Sequence, residues 1–127
     1  AHCNGKYVFK YVSISNGLAL YSYNCKTGKK RKIASSISTS QLVGKRIYYA
    51  VSNGNGTYNI YNVNLAGGNK KTIVKKLKAF SFGIFDSKYI YYNIYDSNTS
   101  ATTYYRYNIK TKKSQKISES QYLSVWY

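Results

Sequence analysis

The sequence predicts an all-β chain built as a repeat of about three four-stranded antiparallel sheets, and three observations predict it. One pattern recurs along the 127 residues, as "LYSYNCKTGKKRKI" at 20–33, "IYNVNLAGGNKKTI" at 60–73 and "YYRYNIKTKKSQKI" at 104–117. Each copy has an aromatic residue in second place, Asn in fifth, a turn of small or basic residues, and a closing Ile, with Ile33, Ile73 and Ile117 spaced 40 and 44 apart. The surrounding segments are rich in Tyr, Val and Ile, they are punctuated by Asn, Gly and Ser, and no helical period competes with them.

Each unit reads as strands A to D. Before strand B stands a tight turn, "NGKYVF" at 4–9, "VGKRIYY" at 43–49 and "DSKYIYY" at 86–92, with Lys6, Lys45 and Lys88 in one place. Strand B is "YVFKYVSIS", "RIYYAVS" or "YIYYNIYD". The turns after it hold Asn16–Gly17, the "NGNG" of 53–56 and the "DSNTS" of 96–100; Asn and Gly accept positive φ, as a hairpin requires. Strand C is "LALYSYN", "TYNIYNVNL" or "TTYYRYNIK", and a lysine-rich turn leads to a short strand D that ends at the Ile.

Strand A is "QLVG" at 41–44 and "AFSFGIF" at 79–85, whereas only the stub "AHC" precedes the first strand B. The last segment, "QYLSVWY" at 121–127, is expected to be a further strand A that closes the set. The chain therefore reads as one domain, 1–127, with repeats at about 4–38, 39–78 and 79–118.

Four-stranded antiparallel sheets repeated at about 40 residues are the signature of a β-propeller, whose blades number four to eight. Three blades leave several readings open: a half-propeller, a fragment of a larger ring, or a homodimer forming a six-bladed ring through residues 121–127. A single-chain sandwich is the structural alternative. Blades stack face to face, so an inner strand meets neighbours on both sides, and a flat side chain with a polar tip fits there. Tyr48, Tyr49, Tyr61, Tyr91, Tyr92 and Tyr105 are expected in that packing, with a stacking platform for a sugar or base as their other use.

The segments "RIYYA…NIYNVNLAGGNKKTI" and "YIYYN…YYRYNIKTKKSQKI" resemble TolB-like and YWTD-type propeller repeats, and the resemblance covers nearly all of the chain. The YWTD aspartate is replaced by Ala50 and Asn93, so that family's calcium and polar-cluster roles do not carry over. The repeats look most like those of secreted or surface proteins of Gram-positive anaerobic bacteria. The resemblance implies an extracellular or cell-surface binding module.

Charge bounds the partners. Twenty Lys and Arg face three acids, for a net +17, and self-repulsion of that size favours an anionic partner. In a meander the A–B and C–D turns share one side. That side would gather Lys6, Lys45, Arg46 and Lys88 with the candidate polyanion-binding residues Lys29, Lys30, Arg31, Lys32, Lys70, Lys71, Lys110, Lys112 and Lys113. The B–C tips, with Asn53, Asn55, Asp96, Asn98 and Ser100, are nearly neutral and form the alternative surface, for a protein partner. An anionic polymer or a protein partner is expected, with nucleic acid still open and no membrane span.

Catalytic constellations are missing. Asp86, Asp96 and Glu119 fall in different turns, the single histidine is His2 in the terminal stub, and neither a phosphate loop nor a metal-ligand spacing occurs. A non-catalytic module without cofactor or metal is expected. Cys3 and Cys25 allow one disulfide or two free thiols; a bridge would contribute roughly 3 kcal/mol and suit an oxidising compartment. The chain has no Met and no leader-like segment, and reads as a trimmed piece of a longer precursor.

Overall fold

The computed structural model describes residues 6–15 and 17–126. Its eleven strands form three antiparallel sheets, as the sequence leads one to expect. The first sheet has the order β1 (Tyr7–Ile14), β2 (Gly17–Asn24), β3 (Lys30–Ile37). The second runs β4 (Thr39–Val43), β5 (Arg46–Ser52), β6 (Thr57–Asn64), β7 (Lys71–Lys78), and the third β8 (Ser81–Ile84), β9 (Tyr89–Asp96), β10 (Ala101–Asn108), β11 (Lys113–Ile117). The hairpin at Asn16–Gly17 lies partly outside the described residues, because Asn16 is not among them.

Register puts the three sheets in one frame. Tyr48 pairs with Asn62 and Asn62 with Lys71 in the second sheet; Phe9, Ser22 and Arg31 hold those places in the first, and Tyr91, Arg106 and Gln115 in the third. Alternation along a strand then sends successive side chains to opposite neighbours. Ile47 and Tyr49 pack with Leu20, Ile37 and Val63 between the first two sheets. Tyr48 and Ala50 pack with Ile60, Leu77, Ile90, Tyr92 and Tyr107 between the last two. Residues 47–50 are consequently all buried, and each fully buried Ile, such as Ile60 or Ile90, contributes roughly 1.5–3 kcal/mol. Tyr92 stacks on Tyr105 with ring centroids 5.3 Å apart.

Two expectations need correction. Strand D does not stop at Ile33 and Ile73: β3 continues to Ile37 and β7 to Lys78. A bulge lets each strand continue, with Ser36 and Lys76 at positive φ (56° each) beside the register shifts. The closing strand predicted at 121–127 is instead a helix, α1 (Glu119–Trp126), while Tyr127 lies outside the described residues.

A capping box starts that helix. Ser118 Oγ accepts the Gln121 N–H at 3.1 Å, and Gln121 Oε1 accepts the Ser118 N–H at 3.1 Å. Glu119 adds a negative charge to the first turn, where the helix dipole favours it. Tyr122, Val125 and Trp126 recur at helical spacing; Tyr122 is buried against Tyr91 and Ile117, with Val125 packed beside them. The helix thus covers the outer face of the third sheet, and it cannot serve as a strand for another sheet.

Two outcomes follow from this packing. Ser118→Ala removes the cap and should cost about 1 kcal/mol. Because Trp126 is the sole tryptophan and contacts Phe85 and Tyr122, red-shifted fluorescence before global unfolding would report the loosened helix, and an unchanged spectrum would contradict this role of the cap. Burial raises the Tyr49, Tyr92, Tyr107 and Tyr122 hydroxyls above the ordinary tyrosine value near 10. The folded chain then holds protons that the unfolded chain has released, so stability should fall as pH rises through and beyond 10. Absorbance at 295 nm should show part of the tyrosines ionising at higher pH than the rest in the folded chain, and a single uniform transition near 10 would contradict this.

Candidate functional site

The strongest concentration of charge lies on the turns that join strands C and D, which the repeated Asn builds. Asn24 Oδ1 accepts the N–H groups of Lys26 and Thr27 (2.9 and 3.1 Å), and Asn108 Oδ1 those of Lys110 and Thr111 (2.9 and 3.0 Å). Asn64 Oδ1 accepts those of Ala66 and Gly68 at 3.1 and 2.9 Å. The fifth-place Asn is therefore the side chain that folds each turn back on itself. Gly28 and Lys112 occupy one equivalent positive-φ place (74° and 61°), whereas in the second turn positive φ falls at Gly67 and Asn69 (88° and 54°).

All nine candidate polyanion-binding residues are exposed, and three of them border one pocket. Lys29, Lys30 and Arg31 come together around a pocket of about 500 Å³, with Tyr7, Ser22, Thr27 and, from the neighbouring sheet's turn, Ala66. Lys32 follows in β3, outside that lining. Lys30 and Lys70, at equivalent places, lie over the rings of Tyr21 and Tyr61 at 5.0 and 4.2 Å. Lys71 begins β7 and Lys113 begins β11, while Lys110 and Lys112 belong to the turn of the third sheet. Sequence reasoning missed Tyr7, Ser22 and Thr27, since nothing about an uncharged residue marks it as lining a basic pocket.

Of the two arginines at this end, Arg46 is held by hydrogen bonds within its own sheet. Arg46 Nε and Nη2 donate to Asn62 Oδ1 at 3.2 and 2.8 Å, and Nη2 also donates to the Asn69 carbonyl at 2.6 Å. Arg31 lies across the Gly67–Gly68 turn; a Cβ on Gly68 would stand 3.4 Å from its Nη1, so a bare turn lets the guanidinium approach.

Elsewhere polar groups serve the fold. Asn53 Nδ2 donates to Thr57 Oγ1 and Asn59 Oδ1, and Asp96 Oδ1 accepts the Asn98 N–H, so these B–C tip side chains hold their own loops. Asp86 Oδ1 accepts the N–H groups of Lys88 and Tyr89. Among the described residues no group of three or more His, Cys, Asp or Glu comes together, and no helix is long and apolar enough to cross a membrane. Cys25 is disulfide-bonded, while His2 and Cys3 lie outside the described residues. Tyr48, Tyr49 and Tyr92 are buried and Tyr61 and Tyr105 half-buried between sheets, whereas Tyr91, expected there too, is buried beneath the helix because it faces the other side of β9; this leaves the stacking-platform use to other, exposed tyrosines such as Tyr11 and Tyr95.

No family model matches the chain, and comparison with curated proteins finds no match. Among solved structures it is similar to TolB from Acinetobacter baumannii, with 16% identity and a TM-score of 0.58 over 89% of this chain and 30% of that one. It is also similar to the β-propeller domain of the Trilobed protease from Pyrococcus furiosus, described as having an open velcro topology, with 14% identity and a TM-score of 0.56 over 91% of this chain and 40% of that one. The fold is thus that of a β-propeller, of which the chain spans less than half the length of either neighbour.

If the repeated Asn organises the turn, Asn64→Ala should lower stability by about 1–2 kcal/mol in urea denaturation, for two lost hydrogen bonds to backbone. Unchanged stability would mean that backbone bonds alone shape the turn.

Proposed function

We propose that the chain is a non-catalytic binding module of the cell surface or exterior, and that its lysine-bearing turns hold an anionic polymer. The observation that carries this reading is the cluster of Lys29, Lys30 and Arg31 around one open pocket, beside a second basic turn. Within each sheet the antiparallel order places the C–D turn at the same end as the A–B turn, so Lys45 and Lys88 add to the rim. A polyanion is attracted to such a rim by release of its counterions, with strong salt dependence and little need for shape recognition. The disulfide at Cys25 suits an oxidising environment.

Replacing Lys29, Lys30, Arg31 and Lys32 together by Ser removes four exposed positive charges. The protein should bind a heparin column at low salt and elute within a few hundred millimolar salt, and the variant should elute markedly earlier. Equal elution of the two proteins would remove this cluster from the site. Retention that persists at high salt would instead favour recognition of a protein partner through neutral surface.

A further inference from the structure

We infer that the pocket on the rim of the first sheet is a receptor for one tetrahedral oxyanion ester, a phosphate or sulfate group carried by a unit of the polymer. The inference rests on the rim reading above and goes further by assigning one pocket and one chemical group.

The three sheets supply the comparison. In the second sheet, the place between the start of strand B, the middle of strand C and the C–D turn is filled from within: the Arg46 guanidinium sits there on Asn62 Oδ1 and the Asn69 carbonyl. In the third sheet the strand C residue is Arg106, whose guanidinium lies 4.5 Å from the centre of the Tyr89 ring while Nε donates to Gln115 Oε1 at 3.0 Å. By register, the first sheet has Tyr7 where the second has Arg46 and Ser22 where it has Asn62. Neither strand B nor strand C of the first sheet brings a guanidinium to that place. The space stays open, at about 500 Å³, and Lys29, in the frame position of Asn69, borders it.

The lining specifies the guest. Lys29, Lys30 and Arg31 contribute three positive charges, Ser22 and Thr27 two hydroxyls, and no carboxylate lines the pocket. In the second sheet the same place already holds a charged group through directional hydrogen bonds. Here the complement is reversed: the wall is cationic, so the guest is an anion with several acceptor oxygens. Ammonium and guanidinium groups with hydroxyl donors suit a phosphate or sulfate ester, and a guanidinium can bind one through two parallel hydrogen bonds. The volume falls in the range of small-ligand sites, large enough for the ester with the sugar or glycerol unit that bears it. The Tyr7 ring in the wall offers that unit a flat apolar surface.

The test rebuilds the second sheet's brace in the first. Tyr7→Arg with Ser22→Asn places a guanidinium and its acceptor where Arg46 and Asn62 stand, and raises the net charge by one. Glycerol 3-phosphate and glucose 6-sulfate are titrated calorimetrically into wild-type and double-variant protein at constant moderate salt. Saturable binding of at least one ester is expected for the wild type, at least tenfold weaker in the variant despite its greater charge. The preferred ester tells a phosphate-bearing polymer from a sulfated one. Should the double variant fail to fold, Arg31→Gln, at an exposed position, replaces it with the same expected loss. Equal affinity in the variant, or no saturable binding of either ester by the wild type, overturns the inference. Wild-type protein that is retained on heparin yet binds neither ester would overturn the receptor and leave the rim; protein that is not retained would overturn the rim.

Discussion

A sheet that is apolar on both faces needs a neighbour on each, and the rest of the molecule is arranged around that requirement. Ile47 and Tyr49 face one neighbour while Tyr48 and Ala50 face the other, so the middle sheet is satisfied on both sides by sheets of its own kind. The third sheet has a sheet on one side and the helix on the other, where Tyr122 closes over Tyr91 and Ile117. The first sheet has one neighbour among the described residues. Its Val8, Lys10, Tyr21 and Tyr23 hold the frame places that Ile47, Tyr49, Tyr61 and Val63 fill at an interface in the second sheet. Tyrosine suits these layers because its ring is buried while its hydroxyl still finds a partner at the layer's edge, as Tyr92 does with Ser114 Oγ at 2.6 Å.

The same stacking decides where charge can go. The buried positions between layers hold no charged side chain, so charge falls on exposed strand positions and on the turns at the ends of the strands. Lysine accordingly accumulates on the C–D connections, where a side-chain amide from the end of strand C already satisfies the backbone. Arg46 is engaged within its own sheet, so the number of basic residues overstates the charge available to a partner.

Much of this was legible in the sequence. Strands β5 and β9 coincide with "RIYYAVS" and "YIYYNIYD", because aromatic and β-branched residues bounded by Gly, Asn and Ser leave few other choices. The repeated Asn marks the turns in the sequence because its side chain is the group that closes them. The last segment has the aromatic content of a strand, but "SESQ" at 118–121 carries the Ser-x-x-Gln signature of a helix start, and that signature decides its structure. The long third strands were hidden because bulges at Ser36 and Lys76 interrupt alternation, so periodicity ends before pairing does. Of the candidate site, the lysines could be read directly. The pocket could not, because it depends on cross-strand register: Ser22 matters only once it is known to stand where Asn62 receives Arg46.

Layers that touch only their immediate neighbours give the molecule a one-dimensional cooperativity, in which losing the middle layer breaks two interfaces and losing an end layer breaks one. The helix supplies one end with a second contact; the other end has none among the described residues. On this arrangement opening is expected to begin at the first sheet, with amide exchange graded from there to the buried middle. The covalent bond at Cys25, just beyond β2, falls on the layer with fewest neighbours, where a link that limits the open ensemble has most to offset.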